Sequence, residues 1–163
     1  MTAVLREYAA SDQARVDQLA LEAWEQYRGH YSDWPALRRR IGAMSELAAS
    51  GEIIVADIAG RIEGAVAYLG PGKPKSDIFL PEWPIMRMLV VAPNARGHGV
   101  GHDLALECMR RARRDQAPVF ALHTSPIMTV ALAMYLRMGF RHHGPAPMMG
   151  GVPYAIYLKT LTP

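Results

Sequence analysis

The sequence has little of what membrane-spanning and disulfide-bonded proteins contain. Among its 163 residues there is one cysteine, Cys108, so no disulfide can form within the chain. The longest apolar run, near Met88 to Ala92, is far too short to cross a bilayer. The first ten residues include Arg6 and Glu7 and lack the apolar core of a secretory signal peptide. We therefore expect a cytoplasmic protein without a membrane partner.

Charge of one sign is also scarce. The formal net charge is +3 at pH 7, and part of it comes from arginine clusters in residues 38–40 and 110–114. Both clusters fall in helical patterns without interleaved aromatic residues, which favours solvated helix faces over a nucleic-acid surface. With 50% hydrophobic and 20% charged residues, the composition indicates one globular domain over residues 1–163.

Hydrophobic periodicity and breaker residues predict the element order β-α-α-β-β-β-α-β-α-β-β. The predicted strands cover residues 4–8, 52–58, 62–69, 85–92, 118–123, a segment that begins at 140–142, and 154–159. The predicted helices cover residues 11–27, 34–50, 99–114 and 126–138, with Ser11 as the first N-cap. Two segments rich in glycine and proline, residues 70–84 and 144–153, are predicted as loops.

These elements fit an α/β fold built on a mixed sheet. Strand 85–92 is almost continuously apolar, which favours burial on both faces. A helix connects it to strand 118–123, so the two should be parallel neighbours with a right-handed crossover. The other strands should be mostly antiparallel, giving about seven strands with helices on both faces. In the last helix, the residues expected to face inward are Val130, Ala131, Met134 and Met138.

A glycine-rich segment lies between the apolar strand and the third helix. Residues 96–101 are Arg-Gly-His-Gly-Val-Gly. Glycine permits positive φ and close approach of the backbone to an anion, and the first N–H groups of a helix favour a phosphate. Arg96 adds a guanidinium suited to phosphate oxygens. The segment therefore predicts a diphosphate site, although it has neither the Lys-Ser/Thr of a P-loop nor the G-x-G-x-x-G of dinucleotide folds.

Three motifs together resemble the GCN5-related N-acetyltransferases, the GNAT superfamily. Residues 96–101 match its R-x-x-G-x-G pattern, and Leu89-Val90-Val91-Ala92-Pro93 looks like its strand ending in V-x-P. Residues 131–140, Ala-Leu-Ala-Met-Tyr-Leu-Arg-Met-Gly-Phe, are similar to its A-x-x-x-Y-x-x-x-G-F motif. The first motif alone is a weak signal, but the three at this spacing are a strong one.

The resemblance implies an N-acyltransferase fold and acetyl transfer from acetyl-CoA to a primary amine of a small molecule or peptide. Strands 85–92 and 118–123 would splay apart, with the thioester in the gap and a backbone N–H near Val91 polarising its carbonyl. Tyr135 matches the family tyrosine beside the sulfur, proposed as general acid. Family members are often dimers, so a homodimer is possible. The implied cofactor contacts are Leu89, Val90, Val91, Arg96, Gly97, His98, Gly99, Val100, Gly101 and Tyr135.

The general base stays open at this stage. Many relatives carry a glutamate on the strand equivalent to residues 85–91, which here contains no carboxylate. Glu82, just before the strand, and His123, at the end of the facing strand, are the two candidates, and bulk water is a third. Met128 stands where many relatives have an asparagine that touches the cofactor.

The acceptor is not encoded in any recognisable motif. Aromatic residues near the expected cleft, Tyr31, Trp34, Phe79 and Trp83, suggest a partly aromatic acceptor pocket, or else a cover for the sheet or a dimer contact. A non-catalytic acyl-CoA sensor is the alternative function, since it would keep the diphosphate site without the chemistry.

Two further side-chain chemistries are not expected. Cys108 lies between Leu104 and Ala112 on an apolar helix face, which indicates a buried, unreactive thiol rather than a nucleophile. His98 and His102 are four residues apart, but no third ligand has matching spacing, so we expect no metal.

Overall fold

The computed structural model describes residues 2–161, and its centre is one sheet of seven strands. The strands are β1 (Val4–Glu7), β2 (Glu52–Ile58), β3 (Arg61–Leu69), β4 (Ile85–Val91), β5 (Val119–Thr124), β6 (Arg141–Met149) and β7 (Val152–Thr160). Their order across the sheet is β1-β2-β3-β4-β5-β7-β6. Among the strands of residues 2–161, β4 and β5 are the only two that pair in parallel, so the predicted mixed, mostly antiparallel sheet is confirmed.

The helices lie on both sides of this sheet. They are α1 (Gln13–Trp24), α2 (Trp34–Ile41), α3 (Val100–Arg114) and α4 (Thr129–Arg137), with short 3₁₀ helices at Ala10–Asp12, Glu25–His30, Met44–Ala49 and Pro93–Ala95. α1 packs on β3 and β4 from one side, and α3 packs on β2, β3 and β4. Within residues 2–161, no helix combines the length and the apolar character that a membrane crossing needs.

The first two predicted helices are each shorter than expected. α1 ends at Trp24 and continues as a 3₁₀ helix to His30, and its N-cap residue is Asp12 rather than Ser11. The second prediction, residues 34–50, splits after Ile41 at Gly42. The carboxylate of Asp17 accepts hydrogen bonds from the Ser45 backbone N and Oγ at 2.7 and 2.8 Å, so the chain after Gly42 is held to α1 and does not continue α2.

The prediction that residues 144–153 form a loop is wrong. Residues Arg141–Met149 and Val152–Thr160 form an antiparallel hairpin whose turn is Gly150-Gly151, with φ of 52° and 81°. Prolines 145 and 147 are tolerated because β6 is an edge strand that pairs only with β7. The glycine and prolines of β6 therefore led to a loop prediction for a segment that forms an edge strand.

The inward face predicted for α4 is also wrong at Val130, whose exposed fraction is 83%. Tyr135 is the buried residue of this helix. Val130 precedes it by five residues, which places it about 140° away around the helix axis. The apolar composition of α4 therefore does not mean that the helix is surrounded by protein.

The arginine cluster in residues 110–114 is not a uniformly solvated face. Arg111 is 5% exposed and donates hydrogen bonds to Glu7, Glu52 and Glu107. This guanidinium joins β1, β2 and α3, so it belongs to the scaffold. The carboxylates neutralise its charge, as a buried cation requires.

Gly64 on β3 lies where α3 comes closest to the sheet. A Cβ added there would be 2.7 Å from Val100 Cγ1 and 3.1 Å from Leu104 Cδ1. We expect Gly64→Ala to lower the free energy of unfolding by about 1–3 kcal/mol, because overpacking must push α3 outward. Gly144→Ala is the matched control in urea unfolding, since nothing lies within 4 Å of its added Cβ. An equal effect of the two substitutions would contradict this account.

Candidate functional site

β4 and β5 diverge from a single point of contact. Their register has one pair, Ile85 with Ala121, and the Ala121 N–H donates to the Pro84 carbonyl at 3.0 Å. Beyond that pair, within residues 2–161, β5 continues to pair with β7 alone. The predicted splay is therefore present, and it leaves the second half of β4 with an unpaired edge.

A β-bulge interrupts β4 at this edge. Met88 has a φ of 58°, and the register with β3 shifts between the pair Ala67–Arg87 and the pair Ala65–Val90. A positive φ is uncommon for a residue other than glycine, and bulges often redirect a strand beside a functional site. Met88, Leu89 and Val91 are only half-buried and Arg87 is exposed, so the prediction that this strand is buried on both faces is wrong.

The unpaired edge of β4 presents hydrogen-bond donors to the gap. The Ala92 N–H points toward β3, where it donates to the Glu63 carbonyl at 2.8 Å. Since successive N–H groups of a strand point in opposite directions, the Val91 N–H points away from β3 and into the gap. This direction is the one that the sequence interpretation requires of Val91.

The glycine loop has the conformation that an anion site needs. Gly97 and Gly99 both have a φ of 81°, and nothing lies within 4 Å of a Cβ added at either position. Gly99 is the N-cap of α3 without a side-chain cap, and residues 96–99 are exposed. The first N–H groups of α3 therefore lack an internal partner and face open space.

Arg96 holds this loop against α1. One guanidinium N–H donates to the Ala23 carbonyl at 3.1 Å. Its charge also acts on the phenol of Tyr27, whose pKa is nevertheless raised because burial outweighs that attraction. The other guanidinium N–H groups of Arg96 have no partner among residues 2–161, so this side chain combines a structural contact with donors for an anion.

The predicted cofactor contacts differ in which of their atoms are available. A Cβ added at Gly101 would lie 3.6 Å from Val91 Cγ2 and 3.9 Å from Leu89 Cδ2, so both side chains face the first turn of α3. Val90 and Val100 are buried in the core, which leaves only their backbone groups for a ligand.

Tyr135 of α4 is enclosed on the same side of the sheet as α3. It is 6% exposed, and its ring packs edge-on against Phe140 at 5.8 Å between centroids. Burial raises the pKa of its phenol, with smaller contributions in the same direction from Cys108 and Tyr27. The phenol therefore keeps its proton at physiological pH.

His123 lies on the opposite face, between two aromatic rings. Its ring centroid is 5.8 Å from that of Phe79 and 5.2 Å from that of Tyr154. Burial, together with the charge of Arg87, lowers the pKa of His123 to about 4. Glu82, the other candidate base, is exposed in the loop before β4. The geometry thus brings His123, and not Glu82, into an enclosed cluster.

Three of the four aromatic residues predicted to contact an acceptor join this cluster. Tyr31 shares a hydrogen bond between hydroxyls with Tyr154, and it packs on Trp34 at 6.3 Å between centroids. Phe79 contacts His123, as described above. The Gly150 carbonyl accepts a hydrogen bond from the Ser32 N–H at 2.9 Å, so the β6–β7 turn covers the cluster from one side.

Trp83 does not join the cluster, because it lies edge-on against His143 of β6 at 5.5 Å. Two residues of the site were missed by the sequence interpretation, Tyr154 and Arg87. Tyr154 followed a segment predicted as a loop. Arg87 had a usable signal, since it is the one charged residue in the apolar strand Ile85–Val91.

Cys108 is fully buried, as predicted, and burial raises the pKa of its thiol. A nucleophilic role is therefore disfavoured. Among residues 2–161, no three His, Cys, Asp or Glu side chains converge on a common point where a metal ion could bind.

A groove of about 340 Å³ is lined by residues of α3, of α4 and of β7. It begins at His102 in the first turn of α3. Its lining is partly apolar and partly basic: His102, Leu106, Met109, Arg113, Met134, Arg137, Met138 and Lys159. The basic side chains of Arg113, Arg137 and Lys159 make this groove attractive to anions.

The sequence profile described as "Acetyltransferase (GNAT) family" matches residues 14–140. No curated protein matches the chain significantly in sequence.

Solved structures with the same fold are numerous. PaiA N-acetyltransferase from Thermoplasma acidophilum, in complex with coenzyme A, is 17% identical with a TM-score of 0.77, covering 98% of this chain and 99% of that one. The histone acetyltransferase HPA2 and related acetyltransferase from Corynebacterium glutamicum is 22% identical with a TM-score of 0.76, covering 100% and 99%. YncA from Salmonella typhimurium, with its cofactor acetyl-CoA, is 16% identical with a TM-score of 0.71, covering 100% and 96%. These likenesses confirm the predicted fold.

The lowered pKa of His123 can be measured directly by NMR titration of its ring protons. We expect a value of about 4 in the native protein and a higher value in Arg87→Gln, because one of the two causes is removed. His123→Asn identifies the resonance among the six histidines. An ordinary value near 6.5 would contradict the enclosure of this ring.

The same shift has a consequence for stability. Because the unfolded state binds more protons than the folded state between about pH 6.5 and about pH 4, His123 lowers stability as the pH falls through that window. His123→Asn should remove this part of the pH dependence in urea unfolding.

Proposed function

Because the chain belongs to the acetyltransferase (GNAT) family, we propose that it moves an acetyl group from acetyl-CoA directly to a primary amine of a small molecule or peptide. The observation that carries the proposal is the divergence of β4 from β5 beside the glycine loop. The unpaired edge of β4, the positive φ of Gly97 and Gly99 and the buried phenol of Tyr135 support the assignment of one site to this gap. Two of the similar structures contain coenzyme A or acetyl-CoA, which supports this donor.

In this proposal the donor's diphosphate lies on the loop of Gly97 and Gly99. The open space at both glycines allows oxygens to approach the backbone, and the free N–H groups of α3 supply donors. The amide-bearing arm of the donor pairs with the edge of β4 near Leu89 and Val91, in the way that an added strand pairs with an open edge.

Acetyl transfer forms a bond between the amine nitrogen and the acetyl carbon and breaks the bond between that carbon and sulfur. The Val91 N–H, which points into the gap, stabilises the oxyanion that develops on the acetyl carbonyl. The thiolate leaves and takes up a proton, while the amine loses one to solvent. The protein therefore has to stabilise one oxyanion and one leaving thiolate, and it has to orient one amine.

Tyr135 is the residue that we assign to the leaving thiolate. Its raised pKa lies above that of a thiol, which is ordinarily about 8.5, so full transfer of the phenolic proton to sulfur is unfavourable. A hydrogen bond from the phenol to the developing thiolate is still favourable. We therefore assign Tyr135 as a donor that stabilises the leaving sulfur, which then takes its proton from solvent.

His123 is proposed to contact the acceptor amine, and like Tyr135 it is not proposed to complete a proton transfer. Its pKa of about 4 keeps the imidazole neutral, so it can accept a hydrogen bond from the amine. An alkylammonium with a pKa of about 10.4 holds its proton far more strongly than this imidazole does. His123 is therefore proposed to orient the amine lone pair, while water receives the proton.

The proposal is tested by binding and turnover measured separately. Calorimetry should detect acetyl-CoA binding, and incubation with acetyl-CoA and a panel of amines should release free thiol. Failure to bind acetyl-CoA would overturn the proposal. Binding without turnover on a broad panel would favour the acyl-CoA sensor instead.

Gly99→Glu should abolish acetyl-CoA binding, because a carboxylate would occupy the diphosphate site and repel it. Gly72→Glu is the matched control, since Gly72 also has a positive φ, 75°, with nothing within 4 Å of its added Cβ. It should bind acetyl-CoA as the native protein does. Calorimetry on both variants checks this, and equal affinities would show that the loop does not hold the diphosphate.

Tyr135→Phe should lower kcat by about 10- to 100-fold, with the affinity for acetyl-CoA nearly unchanged, because the lost hydrogen bond acts on the leaving sulfur. Tyr157→Phe removes a hydroxyl from a buried tyrosine of β7 and serves as control. A kcat equal to that of the native protein would remove Tyr135 from the chemistry.

A further inference from the structure

The mechanism above leaves one charged side chain of the site without a role. Arg87 of β4 forms no ion pair with any carboxylate of residues 2–161. Arginines of the scaffold differ, since Arg6, Arg111 and Arg114 each bond to carboxylates. An unpaired guanidinium in an apolar strand therefore needs an explanation of its own.

The strand register places Arg87 beside His123. Ile85 and Ala121 are partners in the parallel pair, and Arg87 and His123 each lie two positions further along. Residues two apart on a strand face the same side, so both side chains project from one face of the sheet. Arg87 is exposed, so a ligand can reach it.

That face is opposite to α3. Gly64 faces α3, because its added Cβ would touch Val100 and Leu104. Ala67, the register partner of Arg87, is three positions from Gly64 and so faces the other way. Arg87 thus lies on the acceptor side of the gap, with the cluster of Tyr31, Phe79 and Tyr154 that surrounds His123.

The charge of a second cation acts on Arg87. Arg40, at the end of α2, has no carboxylate partner within residues 2–161, and its charge acts on Arg87. Partial burial and this repulsion both lower the pKa of Arg87. The other titratable groups here are the neutral His123 and the phenols of Tyr31 and Tyr154, whose pKa values are raised by burial.

The local field is therefore positive, since neither Arg87 nor Arg40 forms an ion pair with a carboxylate of residues 2–161. A like charge that acts on Arg87 makes an anion bound to Arg87 more favourable. Guanidinium groups also match a carboxylate geometrically, through paired N–H donors. Trp34 of the same cluster adds a buried indole N–H that has no partner among the atoms of residues 2–161.

We propose that the acceptor is a small amino-carboxylate, whose carboxylate binds Arg87 while its amine lies by His123 at the gap. This inference rests on the proposed function and names the class of its acceptor. The aromatic cluster contacts the carbon part of that molecule, and the β6–β7 turn over Ser32 limits its size. A diamine would instead bring a second cation against the guanidinium of Arg87.

The test compares primary amines that differ only in the group distant from the amine. Thiol release from acetyl-CoA is measured for α-amino and ω-amino carboxylates, their amides, and diamines of matched length. We expect kcat/KM for the best carboxylate to exceed that for its amide by about 10-fold or more, since a charge-assisted hydrogen bond is lost in the amide. A preference for amides or diamines would overturn the inference.

Arg87→Gln should lower the ratio of kcat/KM for the carboxylate to that for its amide by about 10- to 100-fold. Arg87→Lys keeps the charge without the paired donors and should fall between. Arg39→Gln removes the same charge from an exposed, unpaired arginine of α2 and is the control. An Arg39→Gln effect equal to that of Arg87→Gln would overturn the inference.

Calorimetry of acetyl-CoA binding to each variant distinguishes a failure of the acceptor inference from a failure of the proposed function. Unchanged binding with transfer to amines, but without a carboxylate preference, would overturn the inference and leave the proposed function standing. Absence of binding or of transfer to any amine would overturn the proposed function itself.

Discussion

The structure depends on β4 and β5 being joined at one point. Ile85 and Ala121 pair, and from there the strands separate, so that β4 keeps an open edge inside an otherwise continuous sheet. An open edge normally favours unwanted pairing with another chain. Here α3 and α4 lie on one side of the gap, and the segment before α2 covers the other. The edge is therefore accessible to a ligand of suitable shape and protected from another strand.

The distribution of charge follows from the same division. Carboxylates are concentrated in the scaffold, where Glu7, Glu52 and Glu107 surround Arg111 and Asp12 binds Arg6. By contrast, Arg96 of the glycine loop and Arg87 beside His123 form no ion pair with a carboxylate of residues 2–161, although Asp103 lies in the first turn of α3. Several carboxylates of the scaffold thus hold elements together, and two arginines beside the gap remain available to anions.

Features fixed by backbone chemistry could be predicted from the sequence. The glycine pattern of residues 97–99 indicated positive φ, and Gly97 and Gly99 both have it. What depended on tertiary neighbours could not be predicted. The prolines of β6 gave no indication that they lay in an edge strand, and Arg111 looked like any surface arginine until Glu7 and Glu52 came near it. The glycine loop is a contiguous segment and can be read from the sequence. Arg87, His123 and Tyr154 lie on three different strands, and their proximity depends on the register of the sheet.

Arg96 connects the glycine loop to α1. Its guanidinium belongs to the glycine loop, yet one of its N–H groups is committed to a carbonyl of α1, the helix that leads into Tyr27 and Tyr31. The other N–H groups of the same guanidinium can meet an anion while that bond to α1 holds. An anion on the loop and the position of α1 are therefore linked through one side chain, and whatever free energy links them acts equally in both directions.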